Sequence, residues 1–411
     1  MNCFRRFFFF SAALIFTGSL CADTIDKGDV DESDLQALRE WVYSKRQVTI
    51  GEKGGALSIS GEVRAEFQTT NETRNGIKQR GQGAPKFGGD ILPAQAYDVE
   101  VNLMFDYRTD RTWASVKLEF DNDAGLFGGT FNKLKLERAF IGFRAFERET
   151  LTCDVILGRN RMGSFFDSKL EFGTFFDGIL FRYDQSLENI SDIYVHAGVF
   201  VIDERRNHYG YIAELGFLDI LNTGLYAKYS IIDWAAKNYP HSFENEKFDF
   251  VVSQVILGYK FIPRFLDKVT LIYAAGLCNT AAKKRSITHQ ERQNLGGYVG
   301  LSIGQLKKRN DWAFDANYQV LQAQAIPDFD NNGIGIGNAD GSGFYATKGV
   351  LNTAKMAGGN VNYRGFVLTL EYLITNNINL LQQWQQSITL DNSIGPFRRF
   401  KQYEIEFIYL F

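Results

Sequence analysis

The sequence predicts an all-β protein, a transmembrane antiparallel β-barrel of about 16 strands with short periplasmic turns and long external loops. Three observations predict it: apolar and polar residues alternate along many segments, short and long connections alternate between those segments, and the chain ends on an aromatic-rich strand. The composition agrees, because 411 residues with a mean hydropathy of −0.21 exclude a bundle of transmembrane helices. A net charge of −3 provides no basic field, so we expect no nucleic-acid partner.

Residues 1–22 have the three parts of a secretory signal peptide. An arginine pair precedes an apolar run over 7–20, and small residues surround the expected cleavage point after Ala22. A lipoprotein anchored through Cys21 is the alternative interpretation. Cleavage after Ala22 leaves two cysteines, too few to stabilise a chain of this length by disulfides.

Residues 23–50 form a separate acidic segment. The carboxylates between Asp23 and Asp34 indicate a solvated stretch, and the capping box at 33–36 begins a short helix that continues to about Lys45. Two interpretations stay open: a periplasmic plug or partner contact, and a short helix packed against the end of the main domain. The barrel itself is expected over 51–411.

From Leu57 onwards the hydrophobic pattern has a period of two residues. The segment from Tyr97 to Tyr107 is an example, because apolar side chains occupy alternate positions and mostly polar ones lie between them. Each such run predicts a strand with one apolar and one polar face. All six prolines fall between the runs, where a missing backbone N–H interrupts no ladder. The predicted strands span 57–68, 97–108, 112–121, 134–144, 150–159, 178–184, 191–201, 209–217, 221–231, 248–261, 268–278, 293–303, 311–321, 361–373, 378–390 and 399–411.

The connections between these strands alternate in length. Links such as 109–111 and 374–377 are short, whereas links such as 69–96 and 322–360 are long. An even strand count with this alternation is typical of outer-membrane barrels. A soluble β-sandwich has the same period of two but gives no reason for alternating links. Strands of roughly ten residues also match a tilted bilayer crossing.

The last strand carries aromatic and aliphatic residues at alternate positions and stops on Phe411. This pattern resembles the C-terminal insertion signal of outer-membrane barrels, which implies recognition by the barrel-insertion machinery. We therefore expect localisation in the cell outer membrane after signal-peptide-directed export, with outer-membrane lipid around the apolar face. The residues of the expected membrane insertion signal are Tyr403, Ile405, Phe407, Tyr409 and Phe411.

Consecutive segments of the chain resemble the general porin family of Gram-negative bacteria. Residues 137–143 are similar to the Arg-x-Ala-(Tyr/Phe)-Val-Gly strand of those proteins, and residues 151–159 to the strand ending in Gly-Arg that follows it. The link 160–177 comes next, where general porins often have Pro-Glu-Phe-Gly-Gly; here Leu170 replaces the proline and Thr174 the second glycine. The resemblance implies a channel narrowed by an inward-folded third loop, and a homotrimer. A weaker likeness is to the major-outer-membrane-type porins of intracellular bacteria.

The period of two also separates most charged side chains from lipid. A cation on the lipid face costs about 2–4 kcal/mol at the bilayer midplane, so charged positions are expected to face a wet lumen. With the third loop inside, its carboxylates would oppose arginines of the wall and set up a transverse field. The alternative is that these arginines only pair with carboxylates of neighbouring strands. The expected pore-constriction residues are Asp167, Glu171 and Asp177, the expected lumen-wall residues are Arg64, Arg138, Arg144 and Arg182, and Glu62, Glu66, Lys117, Glu119 and Lys228 face inward by the same parity.

Other constellations give weaker signals. Residues 328–333 begin like a calcium-binding EF-hand loop, but the twelfth position is Ala339 rather than glutamate. The four histidines lack the spacing of a metal site, so we expect neither a metal nor a cofactor. The pair His241-Ser242 invites a hydrolase hypothesis, yet neighbours in sequence do not make a catalytic pair.

We therefore expect a porin that forms a water-filled channel for passive diffusion of small hydrophilic solutes, and not an enzyme. The alternative is a structural or surface-adhesive outer-membrane barrel without significant transport. In that case the links 69–96 and 322–360 would be contact surfaces. Conductance in a planar bilayer distinguishes the two hypotheses.

Overall fold

The structure is a computed structural model. It describes residues 47–50, 55–86, 91–123, 133–204, 207–235, 249–284, 288–327, 330–335 and 361–411. The expected signal peptide and the expected helix of the acidic segment lie outside these ranges, as do His241-Ser242 and the twelfth position of the EF-hand-like loop. In the described part of the chain, no helix has the length and apolar character needed to cross a membrane.

Sixteen long strands form one closed antiparallel sheet, accompanied by two short strands, β1 (Gln47–Ile50) and β3 (Ile77–Lys78). The long strands are β2 (Gly55–Arg74), β4 (Gln95–Arg108), β5 (Thr112–Asp123), β6 (Lys133–Arg148), β7 (Leu151–Arg161), β8 (Phe175–Leu187), β9 (Ser191–Asp203), β10 (His208–Ile220), β11 (Leu225–Asp233), β12 (Val251–Phe261), β13 (Thr270–Asn279), β14 (Leu295–Gly304), β15 (Trp312–Leu321), β16 (Tyr363–Thr375), β17 (Ile378–Thr389) and β18 (Arg398–Leu410).

Each long strand pairs with the next along the chain, and the last pairs with the first. Strands β18 and β2 are antiparallel from Arg398 opposite Arg74 to Leu410 opposite Glu62. Beyond this ladder, the backbone groups of Phe411 and Gly61 exchange two hydrogen bonds of 3.0 Å each. Closure leaves no long strand with an open edge, which satisfies the backbone groups that would otherwise be exposed.

The predicted fold class is confirmed, and each of the sixteen predicted strands corresponds to one long strand of the barrel. The largest boundary error concerns the first strand, which continues to Arg74 instead of ending near residue 68. Residues 69–74 are polar and therefore give no hydrophobic alternation, but they pair with β18 through backbone hydrogen bonds. Tertiary pairing therefore extends this strand beyond its apolar pattern.

The two faces of the sheet differ in polarity as the period of two predicts. In β2, Ile59, Val63 and Phe67 are exposed on the outward face, whereas Glu62 is buried on the inward face. The five residues of the expected insertion signal all lie at outward positions of β18 or directly after it. This parity determines which side chains can meet inside the barrel.

The two ends of the barrel differ in the length of their connections. Short turns at 109–111, 149–150, 188–190 and 376–377 lie at one end, which we call the turn end. Most long links lie at the other end, which we call the loop end. The link between β7 and β8 belongs to the loop end, and we call its residues 162–174 the third loop.

Candidate functional site

The third loop lies inside the barrel and packs against the inward face of the strands that follow it. It begins with one turn of 3-10 helix at Met162–Ser164. Three of its apolar residues are buried, with at most 2% of their surface exposed: Phe166, Leu170 and Phe172. Phe166 lies 5.5 Å from Phe172 between ring centroids and 6.5 Å from Phe176 of β8. The series of contacts between aromatic rings continues through inward residues of β9 and at the end of β11. An apolar cluster therefore fills this side of the interior.

Polar contacts fix the loop to β10, β11 and β12. The Lys228 ammonium lies 3.0 Å from the Asp167 carboxylate, and the Asp167 backbone N–H donates to Glu214 at 3.2 Å. Ser168 donates its hydroxyl to Gln254 at 2.7 Å, and the Gln254 amide donates to the Asp167 carbonyl at 3.0 Å. These partners come from three adjacent strands, so the loop is tied across the wall and not at a single point.

The tip of the loop reaches β15. Lys169 lies 3.5 Å from the Asp315 carboxylate and 5.5 Å from the centre of the Tyr273 ring. Its side chain keeps 42% of its surface exposed. A partly hydrated ammonium therefore lies between the loop and the inward face of β13 and β15.

Asp330 anchors the C-terminal half of the third loop. This residue lies in the link between β15 and β16, and its side chain is fully buried. Its carboxylate accepts hydrogen bonds from the Phe172 N–H at 3.3 Å, from the Thr174 N–H at 3.4 Å and from the Thr174 hydroxyl at 2.9 Å. Phe172 has a left-handed φ of 71°, a strained conformation for a bulky side chain. The anchor therefore helps to hold a backbone conformation that the chain would not adopt by itself.

Burial changes the acidity of the two carboxyl groups in this region. Desolvation raises the pKa of Asp330 to about 7, against hydrogen bonds from Thr174 and Phe172 that lower it. Desolvation, and then repulsion from Asp330, raises the pKa of the fully buried Glu171 well above its ordinary value. The Glu171 Oε1 atom has no hydrogen-bond partner in the described part of the chain. Burial therefore favours the uncharged carboxylic acid form of Glu171.

The opposite wall of the interior is acidic. Its centre lies on β18, β2 and β4, where Glu406 is paired with Glu66 and Glu66 with Asp98 in register. One carboxylate oxygen each from Glu66, Glu404 and Glu406 lie within 4.8 Å of one another. We call Glu62, Glu66, Asp98, Glu100, Glu404 and Glu406 the acidic wall.

One arginine compensates the acidic wall in part. Arg64 lies 2.8 Å from Glu62 and 3.3 Å from Glu406, and it is opposite Glu100 in the ladder between β2 and β4. The single guanidinium is outnumbered by the carboxylates around it. The wall therefore carries a net negative field if most of its carboxylates are ionised.

The structure separates the three expected constriction residues. Asp167 belongs to the third loop, pairs with Lys228 and keeps 40% of its side chain exposed. Glu171 also belongs to the loop but is 1% exposed, so it does not line an aqueous surface. Asp177 differs from the expectation: it lies in β8, in the outward row with Ile179 and Phe181, and its two oxygens each lie 2.7 Å from Arg159. The loop ends at residue 174, three residues earlier than the sequence suggested, because Phe175 already pairs with β7.

The expected lumen-wall arginines lie on β2, β6 and β8. Arg144 pairs with Asp154 of β7 at 3.0 Å, and Arg182 lies 4.0 Å from Asp184. Arg138 is opposite Lys117 where the ladder between β5 and β6 shifts register. Arg64 and Arg144 thus have carboxylate partners on their own or adjacent strands, which is the arrangement of the alternative interpretation.

Sequence reasoning missed the roles of Glu214, Gln254 and Asp330. Inward parity on β10 and β12 identifies the first two positions, but parity does not show that a loop lies against them. In the sequence, Asp330 is part of a pattern that resembles a calcium-binding loop. In the structure, its carboxylate accepts hydrogen bonds from the third loop. These hydrogen bonds join residues that are separated by 156 and 158 positions in the sequence. A local sequence pattern gives no information about contacts over such a separation.

The described residues thus define a closed, sixteen-stranded antiparallel barrel with a charged interior and an inward third loop. Neither a protein-family model nor a curated protein matches the chain. Among solved structures, it is similar to an engineered variant of Rh. blastica porin, with 10% identity, a TM-score of 0.44, and coverage of 86% of this chain and all of the other. It is also similar to Salmonella typhi OmpF in complex with daunomycin, with 12% identity, a TM-score of 0.47, and coverage of 89% of this chain and all of the other.

Proposed function

We propose that this chain is an outer-membrane porin: a water-filled channel for passive diffusion of small hydrophilic solutes, narrowed by the third loop. One observation carries the proposal. The same strands of a closed barrel present apolar side chains outward and charged side chains inward, as β2 and β18 do with Phe67 and Phe407 outside and Glu66 and Glu406 inside. A soluble barrel would have the reverse arrangement.

The outward face suits hydrocarbon as its solvent. Large apolar residues with 38–57% exposure, among them Phe67, Ile179, Leu257 and Phe407, lie on strands distributed around the barrel. Contiguous apolar surface of this extent is not stable in water. In a bilayer it contributes favourably, and closure leaves no unpaired backbone group facing lipid.

The aqueous passage runs between the third loop and the acidic wall. The loop packs in an apolar cluster that has members from Ile156 of β7 to Tyr363 of β16, and this cluster excludes water from that side of the interior. On the other side, Lys169 and several residues of the acidic wall keep part of their surface exposed. The ionised carboxylates of that wall outnumber its one arginine, so the passage favours cations over anions.

Location and assembly follow from the same proposal. Signal-directed export brings the chain to the periplasm, and the barrel-insertion machinery recognises the outward aromatic row of β18 that ends at Phe411. Assembly as a homotrimer is proposed from the resemblance of the strand motifs to general porins. No catalysis is proposed, because the described residues give no nucleophile–base pair that would be a reason for it.

Planar-bilayer recording of the full chain, folded in neutral detergent, tests the function. A heat-modifiable band on a denaturing gel first identifies the folded barrel. We expect stepwise, ohmic conductance and a reversal potential that reports cation preference under a salt gradient. Folded, heat-modifiable protein that inserts without conductance contradicts the proposal and supports the structural or adhesive alternative.

A further inference from the structure

A groove opens on the outward face of the barrel near the loop end. It is a shallow, open depression on β14 and β15 with a volume of about 590 Å³. Gly297 lacks a side chain there, and its neighbour in the ladder, Gly276 of β13, has no atom within 4 Å of the position that a Cβ would occupy. The outward-facing residues that line the groove are Leu295, Gly297, Val299, Tyr318 and Val320.

Positive charge adjoins this groove at the same height. Val320 is opposite Arg364 of β16, Arg364 is opposite Ile388, and Ile388 is opposite Arg399 of β18. Lys401 is the next outward residue of β18. Arg364, Arg399 and Lys401 are all exposed. We call these three residues the basic rim.

In the described part of the chain, no carboxylate compensates the basic rim. No ion pair joins any of its three cations to a described carboxylate, and the outward rows of β14 to β18 contain no aspartate or glutamate. The groove does border Asp391, but that carboxylate already accepts hydrogen bonds from the Ser393 hydroxyl at 2.6 Å, the Ser393 N–H at 2.9 Å and Gln293 at 3.2 Å.

Another outward arginine at the loop end has a carboxylate partner within the barrel. Arg159 of β7 forms a bidentate ion pair with Asp177 of the adjacent strand, at 2.7 Å for both contacts. Its charge is therefore neutralised by the protein itself. The basic rim differs because no described carboxylate neutralises its three charges.

We propose that the groove and the basic rim together form a binding site for a phosphorylated lipid of the outer leaflet, with an acyl chain in the groove and its phosphates on the basic rim. The inference rests on the proposed membrane location of the barrel. Long links mark the loop end as the external end, so the rim lies at the height of the outer-leaflet headgroups. An arginine at that height is well tolerated, since its cost falls to about 0–1 kcal/mol near the interface.

The spacing of the cations indicates the number of phosphates. Arg364 and Arg399 are two strands apart, which separates their Cα atoms by about 10 Å, and Arg399 and Lys401 are about 7 Å apart along one strand. A single phosphate is too small to contact all three side chains at once. A headgroup with two phosphates matches this spacing, and the guanidinium groups offer bidentate geometry to each phosphate.

Lipid binding to the full chain in neutral-detergent micelles tests the inference. The probe is cardiolipin, which carries two phosphates; digalactosyl diacylglycerol, an uncharged lipid, and inorganic pyrophosphate without lipid are the comparison probes. The test variant is Arg364→Gln/Arg399→Gln/Lys401→Gln. The control variant, Lys307→Gln/Lys308→Gln/Arg309→Gln, removes the same charge from a turn at the opposite end. A further variant, Gly276→Leu, places a side chain beside the groove without changing the charge.

We expect the test variant to bind cardiolipin about 100-fold more weakly, at about 5-fold for each cation, while the control binds as the unmodified protein does. Gly276→Leu should weaken cardiolipin binding and leave pyrophosphate binding unchanged. Equal affinity of the test and control variants overturns the inference, as does pyrophosphate binding as tightly as cardiolipin. Conductance of the same preparations measures channel activity separately. Loss of lipid binding and loss of channel activity can therefore be distinguished.

Discussion

Ionisation of Asp330 should loosen the third loop as the pH rises. The group is fully buried, and burial raises its pKa from 3.8 to about 7. In the open loop the carboxyl is hydrated and regains its ordinary pKa, so the anchored state binds the proton more tightly. The stabilisation is therefore complete below about pH 4 and is lost as the pH rises through 7. At about 1.4 kcal/mol per pKa unit, the loss is about 4 kcal/mol.

Hydrogen exchange of the backbone amides of Phe172, Gly173 and Thr174 measures this loss on the folded protein. After correction for the intrinsic rate, protection of these amides should fall by about 300-fold between pH 4 and pH 7. In Asp330→Asn the amide oxygen still accepts hydrogen bonds but does not titrate, so most of the pH dependence should disappear. The neighbouring Glu171 has its pKa shifted in the same direction, and the added Glu171→Gln change removes what remains.

Asp311→Asn is the matched control, because Asp311 lies in a turn at the other end of the barrel. Desolvation alone would raise the pKa of Asp311, but hydrogen bonds from the backbone N–H groups of Lys307 and Lys308 lower it. It should leave the pH dependence of the loop unchanged. The reasoning is refuted if Asp330→Asn keeps the pH dependence of the unmodified protein, or if protection in the unmodified protein is constant over this range.

Three further predictions concern the loop, the acidic wall and the last strand. Lys228→Met removes the buried cation that holds Asp167 and should lower the unfolding free energy by about 2 kcal/mol, measured as a shift of the heat-modifiable transition. Glu66→Gln should reduce the preference for cations in reversal-potential measurements, whereas Glu171→Gln should not, because Glu171 is buried; equal effects of the two variants contradict the assignment of the passage. Phe411→Ser should slow barrel insertion into vesicles without changing the conductance of channels that do insert, and a changed conductance argues against a role confined to insertion.

Much of the fold was predictable because strand periodicity is a local property. A residue such as Phe67 in β2 lies on the lipid side because its neighbours at alternate positions are apolar, and this pattern is readable without any partner strand. The extension of β2 to Arg74 was not predictable in this way. Its last residues are polar, and the ladders with β18 and β3 make them part of a strand.

The candidate site was predictable only in part. Parity placed Arg64 and Lys228 on the inward face, as the structure does. Asp177 was placed in the third loop and not on a strand, because the sequence extended the loop over the first three residues of β8. It also gave no reason to expect Glu171 to be buried, since burial depends on what the loop packs against.

The sequence by itself determined the class of fold, a strand count of about sixteen and the face on which most side chains lie, because each of these depends on residues two to ten positions apart. Tertiary structure alone decided where charge is effective inside the barrel. The Lys228–Asp167 pair and the Asp330 anchor join residues 61 and more than 150 positions apart. Coulombic and desolvation energies depend on distance and burial in space, and a linear pattern contains neither quantity.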